Sequence, residues 1–92
     1  MADVVVTMKI MQASPDVDLS GIDDKVKSIL EKHVGKGAYK SRQEPVAFGI
    51  NALISTFVMQ EEGGKTDLIE KEVEALEGVQ SVSITDVRRS IG

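Results

Sequence analysis

Strand-like alternation at both ends of the chain, helical spacing after the first strand and before the last, and a β-favouring run near the middle predict an α+β fold. The implied order is βαββαβ. The right-handed crossover rule turns that order into a four-stranded antiparallel sheet with two helices on one face, the ferredoxin-like arrangement. Ninety-two residues suffice for one two-layer core. No linker, low-complexity tract or repeat beyond the two-fold βαβ similarity divides them, so residues 1–92 read as a single domain.

From Asp3 to Gln12, the side chains of Val4, Val6, Met8 and Ile10 point one way and those of Val5, Thr7, Lys9 and Met11 the other; the first set is the expected core face. "ASPD" interrupts. From Leu19 the apolar positions Leu19, Ile22, Val26, Ile29, Leu30 and Val34 recur at helical spacing, with capping-box chemistry in Ser20-Gly21-Ile22-Asp23 and closure at Gly35 and Gly37. "AYKSRQE" reads as a polar strand, which Pro45 ends or places at a sheet edge. After "PVAFG", the run Ile50 to Gln60 is rich in β-favouring residues and is the expected central strand. "EEGGKT" is a loop. The helix after it is capped by Thr66, or by Asp67 with Glu70 three residues on; it buries Leu68, Ile69, Val73 and Leu76 and ends at Gly78. In the closing "VQSVSITDVRR", Val82 and Ile84 face the core; strict alternation then gives Arg88 their parity and Arg89 that of Ser83 and Thr85.

Several chemistries are excluded by composition. The formal charge is −4, so the chain as a whole repels phosphate backbones and anionic lipid, and neither nucleic acid nor a membrane is expected as a direct partner. Aromatic residues make up only 3%, and the central strands lack the stacking aromatics of RNA-binding sheets. Without cysteine there is no disulfide framework, thiolate metal site or thiol nucleophile, and the opening "MADVVVTMKIMQ" is neither a signal peptide nor a membrane span. A cytoplasmic location is expected. "GGKT" lies between a strand and a helix as a phosphate loop would, but the motif's upstream glycine is replaced by Met59, and Glu61 and Glu62 would repel phosphate. His33 is the only histidine, placed to meet a helix C-terminus or the rim of the core. The acids Asp16, Asp18, Asp23, Asp24 and Glu70, Glu72, Glu74, Glu77 fit helix starts and solvated faces better than a cation site. An acyl phosphatase would need an arginine in "QASPD", which has none.

Two features remain. Phe48 in "PVAFG" is either tucked under a hairpin or displayed at its tip. Arg88 and Arg89 are adjacent cations near the end of an acidic chain, a solubilising tail or a delivered charge.

The stretches "EPVAFGINALISTFVM", "EGG" and "GVQSVSITDVRR", together with the element order, resemble the elongation factor 1-beta family of archaea and the exchange domain of its eukaryotic counterparts. The likeness covers essentially the whole chain. It implies a guanine nucleotide exchange factor acting, without cofactor or covalent chemistry, on elongation factor 1-alpha, the GTPase that delivers aminoacyl-tRNA to the ribosome. In the eukaryotic relatives the phenylalanine of Pro-x-x-Phe-Gly contacts the GTPase, a position matched by Phe48. A lysine ten places after the valine of Val-Gln-Ser reaches the magnesium and phosphate end of the nucleotide site; counted from Val79, that place holds Arg89, with Arg88 beside it. Arginine there is a departure, a planar fork in place of a compact charge. A rival reading is a regulatory or small-molecule-binding module of the same fold that pairs through an exposed sheet edge.

Overall fold

The computed structural model describes residues 3–35, 37–60 and 66–89. Strand β1 (Asp3–Gln12), helix α1 (Leu19–Val34), strands β2 (Tyr39–Pro45) and β3 (Asn51–Gln60), helix α2 (Thr66–Glu74) and strand β4 (Val79–Arg89) follow in the βαββαβ order. The sheet runs β2-β3-β1-β4 with every neighbouring pair antiparallel, so β3 is central, as its composition predicts, and β2 with its terminal Pro45 is an edge. Residues 61–65, which hold most of "EEGGKT", lie outside the described residues. Among the described residues no helix is long and apolar enough to cross a membrane.

The core forms where the period-two face of the sheet meets the period-3.6 faces of the helices. Val6, Met8 and Ile10 are fully buried against Ile22, Val26 and Leu30 of α1, Ile69 and Val73 of α2, and Leu53 and Phe57 of β3. Each such side chain contributes about 1.5 to 3 kcal/mol relative to exposure, so a largely aliphatic core suffices. Leu68 departs from expectation: it is 51% exposed, because Ile69 and Val73 set the buried stripe and Leu68 lies about 100° away from Ile69 around the helix.

Helix α1 starts differently from the predicted box. Asp18 is its N-cap: the backbone there is extended and the carboxylate accepts the Ser20 N–H at 3.0 Å, while Ser20 itself is already helical. Asp23 is thereby released for another task, accepting hydrogen bonds from the Tyr39 hydroxyl and, at 3.0 Å, from Ser41 Oγ. The Tyr39 oxygen also lies 3.1 Å from Ser55 Oγ, which is fully buried. Burial first, and the Asp23 bond second, push the Tyr39 hydroxyl well above an ordinary phenol, so it stays a neutral donor that fastens the edge strand to α1.

The two helices are tied by Glu72, which accepts from Lys32 Nζ at 2.6 Å and contacts His33 Nε2. The single histidine thus belongs to an interhelical clasp near the C-terminus of α1. The bond from Lys32, then that from His33, hold the Glu72 carboxyl below the ordinary glutamate value of 4.5. A depressed carboxyl contributes stability above its unfolded value and loses it as pH falls through the folded one. Glu72→Gln is therefore expected to lower the thermal midpoint at neutral pH, with the difference from the parent shrinking below about pH 4.5 and vanishing in stronger acid. Melts recorded along a pH series check this.

Regular α2 ends at Glu74, and residues 75–77 lead through a turn to Gly78, four positions after the helix. Gly78 has φ 93°, and a Cβ there would lie 2.8 Å from Val17 Cγ1. Gly78→Ala combines left-handed strain with a clash, for an expected loss of about 1 kcal/mol and a thermal midpoint lower by roughly 4 to 8 °C.

Strand β4 corrects the parity read for the arginines. Its pairing with β1 runs Ile10 with Val82 and Met8 with Ile84, then shifts to Thr7 with Asp86, Val6 with Val87 and Val4 with Arg89. Thr85 is the extra residue of a β-bulge, and everything after it changes face. Arg89 lies on the helix side with Val82 and Ile84, whereas Arg88, opposite Val5, lies on the open side.

Candidate partner-binding site

The turn between β2 and β3 displays an aromatic residue at its tip. Val46 N–H donates to the Ile50 carbonyl at 2.8 Å and Ile50 N–H to the Ala47 carbonyl at 3.1 Å, closing the turn around Phe48 and Gly49. Both central residues have positive φ, 59° for Phe48 and 74° for Gly49, as the tightest hairpin connections require. Glycine takes that conformation freely, while a side chain there costs on the order of 1 kcal/mol. Phe48 is 96% exposed, so burial offsets none of that cost. Of the two placements open to a phenylalanine in "PVAFG", the structure has the displayed one.

The base of this finger is held by a residue that the sequence reading passed over. Gln12 ends β1 on the parity of Val6, Met8 and Ile10, and is only 2% exposed. A polar side chain at a position where the alternation demands an apolar one is the signal that could have found it.

The arginines lie at the other end of the sheet. Arg88 Nε is 2.8 Å from Asp86 Oδ2, an ion pair along the open face, and both Arg88 and Arg89 are exposed. The rung Met11–Ala52 adjoins the hairpin, and the rung Val4–Arg89 closes the opposite end. Seven residues of strand separate these rungs, roughly 23 Å at 3.3 Å per residue. The structure therefore holds Arg88 and Arg89 at one end of the sheet, on opposite faces, and sets Phe48 apart from both, along a molecule whose longest extent is 42 Å.

Charge follows the layers. Helices and their flanking turns, residues 13–34 and 66–78, hold ten acids against four lysines. The strands hold three acids, Asp3, Glu44 and Asp86, against five cations, Lys9, Lys40, Arg42, Arg88 and Arg89. An acidic protein thus has a mildly basic sheet. A cavity of about 210 Å³ lies between the end of α1 and the start of β2, lined by Leu30, Val34, Tyr39 and Phe57. Neither Phe48 nor either arginine borders it, so it is separate from the two ends described above.

The sequence profile of the EF-1 guanine nucleotide exchange domain matches residues 5–89. Among curated relatives, a protein of Methanothermobacter thermautotrophicus named elongation factor 1-beta is 38% identical over 89 residues, 97% of this chain and 98% of its own. Proteins of the same name from Natronomonas pharaonis, at 40% over 91 residues, and Methanosarcina barkeri, at 36% over 90, are each covered to 99% and cover 97% of this chain.

Proposed function

Since this chain belongs to the family of EF-1 guanine nucleotide exchange domains, we propose that it promotes release of GDP from the elongation factor 1-alpha GTPase during protein synthesis in the cytoplasm. The observation that carries this reading is Phe48, strained at φ 59° and 96% exposed on a hairpin tip. A protein with its own stability alone at stake would place glycine there; a binding anchor gives the aromatic side chain a use.

No covalent step is involved. The factor binds the GTPase more tightly when the nucleotide is loosely held than when it is firmly held, and that difference is the whole of its action. Phe48 at one end of the sheet anchors the complex by inserting into an apolar recess of the partner. About 23 Å away along the strands, Arg88 and Arg89 bring positive charge to the magnesium and phosphate end of the nucleotide site. Arg89 there competes with the magnesium ion for oxygens that the metal otherwise holds. Arg88 is steered by Asp86 along the open face and adds to the local field.

Linkage fixes the test. If the factor weakens GDP binding by some ratio, GDP weakens the factor's own binding by the same ratio. Titration calorimetry is expected to give a higher affinity for the nucleotide-free GTPase than for its GDP and magnesium form, each tenfold gap corresponding to about 1.4 kcal/mol of coupling. Equal affinities for the two forms would remove exchange as the function.

A further inference from the structure

We propose that Gln12 is the positioning residue of the Phe48 finger, a buried amide that sets where the hairpin points. The inference rests on the reading of Phe48 as the partner's anchor. Its grounds are geometric. The backbone ladder between β1 and β3 stops at Met11–Ala52, one residue short of the start of β3 at Asn51. At Asn51 the side chain takes over: Gln12 Oε1 accepts the Asn51 N–H at 2.8 Å. Asn51 is the β3 partner of Pro45, so this bond holds the foot of the hairpin.

The other end of the same amide reaches the loop before α1, where Gln12 Nε2 donates to the Val17 carbonyl at 2.9 Å. That loop lies beside the finger, since a Cβ on Gly49 would stand 3.9 Å from Pro15 Cγ. It is fixed in turn by Ala13 N–H, which donates to the Gly78 carbonyl at 2.7 Å. One side chain thus joins the hairpin, the loop 13–18 and the end of β1. A buried amide is tolerated in an apolar core when its polar atoms are paired, and here oxygen and nitrogen each have a backbone partner. An apolar residue at this position would pack as well but leave the finger without its tether.

The test is Gln12→Met, which keeps volume and hydrophobicity and removes both bonds. In stimulated GDP release, the concentration of factor giving half-maximal rate is expected to rise about fivefold, with the rate at saturation retained, because the finger is misplaced and the arginine end is intact. Combined with Phe48→Ala, the substitution is expected to add almost nothing, since there is no anchor left to place. Amide hydrogen exchange, read without any partner, is expected to show Asn51 losing protection in Gln12→Met while the amides of α1 and α2 keep theirs. Unchanged half-saturation with lost Asn51 protection would make Gln12 a purely structural tether and overturn the proposal. An equal fold-change in the Phe48 and Phe48→Ala backgrounds would overturn it as well. If the parent factor fails to stimulate release at all, the exchange reading itself falls, a result distinct from either.

Discussion

Phe48→Ala is expected to raise the dissociation constant for elongation factor 1-alpha about thirtyfold while leaving the thermal midpoint nearly unchanged. A buried interface aromatic typically contributes about 2 kcal/mol or more to binding, and the Phe48 ring, 96% exposed in the free protein, is available for such a contact. Folding draws nothing from the ring, so little stability is lost. Phe48→Gly sharpens the test, because glycine adopts φ 59° without strain. That variant is expected to melt slightly higher than the parent and to bind as poorly as Phe48→Ala, separating stability from function at one position. Loss of stability in parallel with loss of binding would mean that the ring packs within the fold. Calorimetric melts beside equilibrium titrations provide both readings.

Arg89→Ala is expected to slow stimulated GDP release at least about tenfold, with Arg88→Ala costing less. Successive strand residues face opposite ways, and the bulge at Thr85 exchanges the faces, putting Arg89 on the helix side and leaving Arg88 paired with Asp86 on the open one. Arg89, the residue expected at the place of the lysine in the eukaryotic counterparts, is then the one on the helix side, and the ranking follows from that expectation. Exposed ion pairs contribute little to folding, and both variants are expected to melt close to the parent. Arg89→Lys restores the charge as a compact ammonium and is expected to retain much of the activity. Exchange assays at fixed magnesium decide the ranking. Impairment confined to Arg88→Ala would place the working charge on the open face.

Much of the fold is legible because one-sided burial imposes a period. Val6, Met8 and Ile10 alternate for that reason, Ile22, Val26 and Leu30 recur at helical spacing for the same one, and Pro45 can end a strand only where no ladder needs its missing N–H. The misreadings have local causes. Ser20 carries capping chemistry, but so does Asp18 two residues earlier, and only the backbone decides which of them lies outside the helix. Thr85 is a β-favouring residue with nothing in its side chain to announce a bulge, so strict alternation through it gives Arg88 and Arg89 the wrong faces. At the site, a phenylalanine between proline and glycine marks a turn, yet whether the ring packs or projects depends on φ at that residue and on what lies beneath. The distance between Phe48 and the arginines is a property of sheet topology and has no sequence signature of its own. Gln12 did leave a signal, a polar residue on core parity, although its two bonds reach segments that only the folded chain brings near.

The central claim is that this protein speeds nucleotide release from elongation factor 1-alpha, and one kinetic measurement addresses it directly. The GTPase is loaded with a fluorescent GDP analogue and chased with excess unlabelled nucleotide at fixed magnesium, with increasing amounts of the factor. The release rate is expected to rise with factor concentration and saturate, and to fall back toward the intrinsic rate when Arg89→Ala replaces the parent. A release rate independent of the factor, with both proteins folded, would contradict the account.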